Sequence, residues 1–266
     1  MKVAIAGFGT IGKKVAILLD AGIEGLELVA VSARDHDKAR ANMAALSRPV
    51  LVVSARELAA LADVVVECVP KAAFMEVAEP ALAAGRILVT VSGAGILANP
   101  GIIDQARNSD GRIILATGAL LGLDAVRAAA EGEIHSVQMI TRKPPYSLTG
   151  APYLIEHDIA IDNLSEPLKV FEGTAREGAA GFPANVNVAA ALGLAGIGVD
   201  ETRLEIWADP ALDRNTHTIH VEADSARFSL SIENVPSEEN PGTGKITALS
   251  VAAALRGLVS PLHVGT

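Results

Sequence analysis

Near the start of the chain, Gly7-Phe8-Gly9-Thr10-Ile11-Gly12 stands at the spacing G-x-G-x-x-G. A turn of this kind can hold the pyrophosphate of a dinucleotide. Its first glycine permits a tight bend, its second lets the backbone approach the phosphates, and its third lets the next helix pack closely on the preceding strand. The N–H groups that open that helix, at Thr10 and Ile11, would present the positive end of its dipole to the anion. A glycine turn can also be purely structural, so the setting decides. Here an apolar run over residues 3–6 stops at the turn, and a helix is expected over 11–19.

The second strand, expected over 26–31, ends Val31-Ser32-Ala33-Arg34-Asp35. An acidic residue at such a tip accepts from a ribose 2′-hydroxyl, whereas Ser32 and Arg34 are donors suited to a 2′-phosphate. NAD and NADP both stay open as the cofactor, as does the reading in which Arg34 is a solvated charge and Asp35 takes the ribose.

A second group of candidates lies far along the chain. If residues 216–222 form a strand, the period of two puts His217, Ile219 and Val221 on one face and Thr216, Thr218, His220 and Glu222 on the other. His217 then faces inward and His220 meets solvent. An inward histidine is a satisfied core residue or a proton carrier; with a pKa near neutrality it could take and return a proton. Asn187 sits in an expected helix, 183–195, that is apolar nearly all round, so its amide needs a partner, either a nearby backbone group or a bound molecule. Arg142 and Lys143 end a strand before Pro144-Pro145, and Arg214 lies close to His217 in sequence; each could meet a carboxylate or be a solvated charge. Lys143 shares strand parity with Val137 and Met139. Cys68 reads as a small buried hydrophobe, and Glu67 beside it lies where parallel strands border a ligand crevice.

The elements that must carry these residues fall into two textures. Up to about residue 124, strands expected at 3–6, 26–31, 50–53, 64–69, 87–91 and 113–116 alternate with helices at 11–19, 55–61, 72–84 and 100–107, the signature of a Rossmann doubly wound parallel sheet. Beyond it, longer alternating strands at 133–142, 168–172, 203–208, 216–222 and 226–232 suggest a second α+β domain on a mostly antiparallel sheet covered on one face. The expected domains are therefore 1–124 and 125–242. A last helix over 245–258, with Thr243 as its cap, can pack back on the first domain, and its ownership stays open.

The chain's 266 residues suffice for two cores; half are hydrophobic and only 3% aromatic. A formal charge of −9 argues against nucleic acid or an anionic membrane as partner. The single cysteine excludes an intramolecular disulfide, and the six histidines form no cluster at metal-ligand spacing, so no metal is expected. No apolar run approaches the ~18 residues of a membrane span, and the opening residues are too briefly apolar for a signal peptide. A cytoplasmic enzyme acting on a small metabolite, assembled as a homo-oligomer and specifically a dimer, is the expectation.

Several further segments stand in order along the chain: Ser92-Gly93-Ala94; Thr117-Gly118-Ala119-Leu120-Leu121-Gly122-Leu123-Asp124; Thr141-Arg142-Lys143-Pro144-Pro145; Phe182-Pro183-Ala184-Asn185-Val186-Asn187-Val188; Ala208-Asp209-Pro210; Asn215-Thr216-His217; and Asn240-Pro241-Gly242-Thr243-Gly244. Together they resemble the L-aspartate dehydrogenase family; residues 153–163 lie outside these motifs. The resemblance implies reversible NAD(P)-dependent oxidative deamination of L-aspartate to an imine, then oxaloacetate and ammonia, with a link in some organisms to NAD biosynthesis. It implies His217 as catalytic acid/base and Ala119 and Asn187 as cofactor contacts. Other readings of the same two-domain plan are a reductase of the dihydrodipicolinate or homoserine type, or an NAD(P) sensor without turnover.

Overall fold

A computed structural model describes residues 1–183, 187–240 and 242–265. The chain divides into two compact units, Met1–Gly118 with Thr247–His263, and Ala119–Ile246 with the residues from Val264 on.

In the first unit, β1 (Lys2–Ala6), α1 (Thr10–Asp20), β2 (Glu27–Ser32), α2 (His36–Asn42), β3 (Leu51–Val53), α3 (Leu58–Leu61) and β4 (Val64–Glu67) come first. They are followed by α4 (Phe74–Ala83), β5 (Ile87–Thr90), α5 (Gly93–Ala98), α6 (Gly101–Asn108) and β6 (Arg112–Leu115). The six strands are parallel in the order β3-β2-β1-β4-β5-β6, so the winding reverses between β1 and β4. Alternate residues feed two cores: Val3, Ile5, Val64 and Val66 face α1, whereas Ala4, Ala6 and Val65 face a core containing Phe74, Val77 and Leu82 of α4. Burial on both faces explains why the strands read as unbroken apolar runs.

The second unit contains α7 (Leu123–Ala129), β7 (Ile134–Lys143), α8 (Pro152–Glu156), β8 (Leu168–Thr174), α9 (Ala175–Gly181), α10 (Asn187–Ala195), β9 (Arg203–Ala208), β10 (Thr216–Ala223) and β11 (Arg227–Glu233). Its sheet runs β11-β10-β7-β9-β8, antiparallel except between β7 and β9. Val137, Met139, Leu204, Ile206, Ile219 and Val221 are buried on one face. The Pro183 end of the expected helix lies in a turn, and the described helix starts at Asn187. The chain closes with α11 (Lys245–Gly257), whose Ala248, Val251 and Leu255 join the core of the first unit that also contains Val3 and Ile5.

The strand expected to reach residue 69 stops at Glu67. Its side chain accepts the Val69 N–H at 2.8 Å and bends the chain away from the sheet. No described helix is long and apolar enough to cross a membrane.

Candidate active site

The three glycines of the first turn meet three different constraints. Gly7 has φ +90°, and a Cβ on it would lie 2.5 Å from the Cys68 carbonyl oxygen. A Cβ on Gly12 would lie 1.9 Å from the Gly7 carbonyl oxygen, so α1 can approach its strand only without a side chain there. Around Gly9, by contrast, an added Cβ meets nothing within 4 Å. Bareness at Gly9 therefore serves no packing inside the chain; it leaves backbone open to an incoming group. Gly9 is also the N-cap of α1, offers no side-chain cap, and no acidic residue occupies the first turn. The N–H groups at Thr10 and Ile11 thus open onto a cradle whose shape and polarity fit a pyrophosphate. The turn is tied down at both sides, Gly7 N–H donating to the Ser32 carbonyl at 2.9 Å and Cys68 N–H to the Ala6 carbonyl at 2.8 Å.

At the tip of β2, Ser32 is buried and Arg34 is exposed. Asp35 is engaged in the fold: its carboxylate caps α2, accepting the Lys38 N–H at 2.9 Å. The capped helix, absent from the sequence reading, gives this acidic residue a local structural reason.

Glu67 is fully buried at the end of β4. Burial raises its carboxyl above the ordinary value, against hydrogen bonds from Thr90, Ser92 and the Val69 N–H that favour the carboxylate. It pins the ends of β4 and β5. The Cys68 thiol is pushed well up by burial and by Glu67, which keeps it protonated.

In the second unit the register brings two of the candidates to one face. His217 pairs with Thr141 across β10 and β7, and its Nδ1 lies 3.1 Å from Thr141 Oγ1. Lys143, two residues on from Thr141, shares that face, and His217 and Lys143 are only 3% and 4% exposed. Burial lowers the Lys143 ammonium to about 8. Burial first, and the Lys143 charge second, push His217 down to about 3. The expected near-neutral histidine is thus corrected: in the protein alone it is a neutral imidazole. The constellation offers a proton acceptor and a cation, both withheld from water.

Other candidates lie elsewhere. Arg142 is on the opposite sheet face, 4.6 Å over the Trp207 ring and 3.4 Å from the Asp209 carboxylate. Arg214 is held by its neighbour Asp213 at 2.8 Å. His220, also on the opposite face, bonds Ser229 at 2.7 Å. The Ala119 carbonyl accepts from Asn234 Nδ2 at 2.9 Å, and Asn187 opens α10 with its side chain exposed. Asn185 lies outside the described residues. Two residues escape the sequence reading, Thr141 and Asn234; strand parity with Lys143 and with Ile232 was the available signal. Among the described residues no group of three or more His, Cys, Asp or Glu side chains could hold a metal ion.

Residues 7–116 match the model of the homoserine dehydrogenase NAD-binding domain, and residues 124–258 match that of the aspartate dehydrogenase C-terminal domain. An L-aspartate dehydrogenase of Bradyrhizobium diazoefficiens is 57% identical over 100% of this chain and 94% of its own length. L-aspartate dehydrogenase 3 of Bordetella bronchiseptica is 52% identical over 99% and 97%. The crystal structure of aspartate dehydrogenase from Thermotoga maritima superposes with a TM-score of 0.77 at 26% identity, covering 100% of this chain and 99% of that one. On sequence and fold together, the chain belongs to the L-aspartate dehydrogenase family.

Proposed function

We propose that the protein oxidises L-aspartate at its amino-bearing carbon with NAD or NADP, giving an imine that water converts to oxaloacetate and ammonia. The observation that carries the reading is the buried face shared by His217, Thr141 and Lys143. A dicarboxylate needs at least one cation kept from water, and an amine oxidation needs a group that can take and return a proton.

Gly7, Gly9, Thr10, Ile11 and Gly12 hold the pyrophosphate in this reading, and the family resemblance gives Ala119 and Asn187 as cofactor contacts. When bound, the nicotinamide supplies the hydride acceptor. Lys143 binds a substrate carboxylate. Neutralising the Lys143 charge removes one of the two influences that depress His217, so the arriving substrate itself makes the imidazole a better base. Thr141 keeps the ring oriented through Nδ1. His217 takes a proton from the amine side as the imine forms, then returns it during hydrolysis. The lone cysteine, Cys68, suits a reducing, cytoplasmic setting.

The test is a panel of L-amino acids with each cofactor, following absorbance of the reduced nicotinamide. L-Aspartate should far exceed L-glutamate and L-alanine. An analogue without the second carboxylate forgoes a buried charge-assisted contact, a loss of several kcal/mol, more than the ~1–3 kcal/mol of a methylene mismatch. Equal rates on L-alanine would mean a site for one carboxylate and a different substrate.

Cofactor choice gives a second expectation. With Asp35 committed to capping α2, Arg34 is the group at the β2 tip best able to meet a 2′-phosphate. Arg34→Ala should raise the KM for NADP and leave that for NAD nearly unchanged. Equal shifts for both would remove Arg34 from the cofactor site.

A further inference from the structure

We infer that the side-chain oxygens of Asn215 and Asn234 form an acceptor pair for the amino group of the substrate, the feature that separates an amino dicarboxylate from a plain one. The inference rests on the aspartate reading above and assigns the recognition of one substrate group.

The two asparagines face each other one step beyond the paired ends of β10 and β11. Thr216 pairs with Glu233 as the last rung, and the Asn234 N–H then donates to the Asn215 carbonyl at 2.8 Å. The alternation of β10 puts Asn215 on the face of His217. Ile232, which stands opposite His217, puts Asn234 on that face too. Asn234 is 4% exposed, and because its Nδ2 donates to the Ala119 carbonyl, its Oδ1 is left as the acceptor. Among the described residues, Asn215 Oδ1 and Asn234 Oδ1 are the buried side-chain atoms without a hydrogen-bond partner. A buried carbonyl oxygen without a donor is costly, and two on facing residues mark a place built for a donor. Gly244 keeps room there: a Cβ on it would come within 3.0 Å of Asn234 Oδ1.

The chemistry of the donor follows from its neighbours. Two carbonyl oxygens repel a carboxylate and attract N–H. Lys143 and His217 share the same face, so a substrate carboxylate belongs with the ammonium of Lys143 and the substrate amine with the asparagines. The pair thus reads the amine while the lysine reads the acid.

The experiment compares L-aspartate with succinate, a dicarboxylate lacking the amine, on the complete protein at saturating cofactor. Asn215→Ala should raise the KM for L-aspartate about tenfold or more while the inhibition constant of succinate hardly moves. Asn215→Asp, close to isosteric and keeping an acceptor, should weaken succinate through charge repulsion far more than it raises the L-aspartate KM, because the substrate ammonium offsets the added charge. If Asn215→Ala proves unfolded by its melting curve, the Asp variant alone decides, through that widened discrimination. A parallel loss of both ligands, or an unchanged L-aspartate KM in Asn215→Ala, would overturn the acceptor pair; the second result would mean the oxygens serve water only. Failure of the parent protein to oxidise L-aspartate would overturn the functional reading itself and is seen before any variant is made.

Discussion

His217→Gln is expected to lower kcat by roughly 10²–10⁴ while the dissociation constant for NAD or NADP hardly moves, a barrier increase of about 3–5 kcal/mol. Glutamine nearly fills the buried volume and can still bond Thr141, so the variant removes the titrating group without opening the cavity that alanine would leave. His220→Ala is the matched control: it lies on the other sheet face, bonded to Ser229, and should behave like the parent protein. Steady-state kinetics and cofactor titration on both variants check this. If His220 proves essential and His217 dispensable, the catalytic assignment fails. The same variant should change acid stability. In the fold the imidazole stays neutral down to about pH 3, whereas in the unfolded chain it takes a proton near 6.5. Protons therefore favour unfolding across that window, and stability falls as pH drops from 6.5 towards 3. The difference of 3.5 units corresponds to on the order of 5 kcal/mol at the acid end. His217→Gln should lose that part of the acid sensitivity, which denaturant titrations at several pH values would reveal.

Lys143→Met is expected to make the protein more stable and nearly inactive. The buried ammonium has its pKa lowered from 10.5 to about 8, a difference of 2.5 units that corresponds to about 3 kcal/mol, less whatever its own contacts return. The sign follows from proton counts. Below pH 8 both folded and unfolded chains carry the charge and the fold bears the full cost. Between 8 and 10.5 the unfolded chain holds the proton longer, so stability climbs with pH. The methionine variant should begin at the higher stability at pH 7 and lack the alkaline rise. Its KM for L-aspartate should increase by orders of magnitude, because a substrate carboxylate would lose its cation in a site withheld from water. A variant that is both destabilised and fully active would show that the lysine is structural.

How much of this could be read from the chain depended on distance along it. The glycine turn was legible because strand, bend and helix lie within a few residues, and the inward direction of His217 followed from period two alone. His217's partner Thr141 is 76 residues away, and the bond from Asn234 to Ala119 spans 115. Local patterns carry no register between strands so far apart. The depressed basicity of His217 was hidden for the same reason, since it needs both its burial and the position of Lys143. Some elements were missed although their signals were present. Thr174 and Glu177 form a reciprocal cap that starts α9, and Asp35 starts α2. These helices are short and carry weak apolar stripes, so the caps are more telling than periodicity. α5 begins Gly93-Ala94-Gly95, where two glycines disfavour a helix that packing nonetheless imposes.

The return of α11 has a consequence for how the molecule is made. Ala248, Val251 and Leu255 lie in one core with Val3, Ile5 and Val15, so the first unit is finished by residues synthesised after residues 119–246 of the second. A nascent chain emerges from its N-terminus and its domains tend to fold as they appear. Here the sheet that emerges first has one apolar face partly uncovered until translation has passed Leu255. During that interval the uncovered apolar face leaves the growing chain open to aggregation, and a chain ending at Ile246 would hold an N-terminal unit without the helix that completes its core.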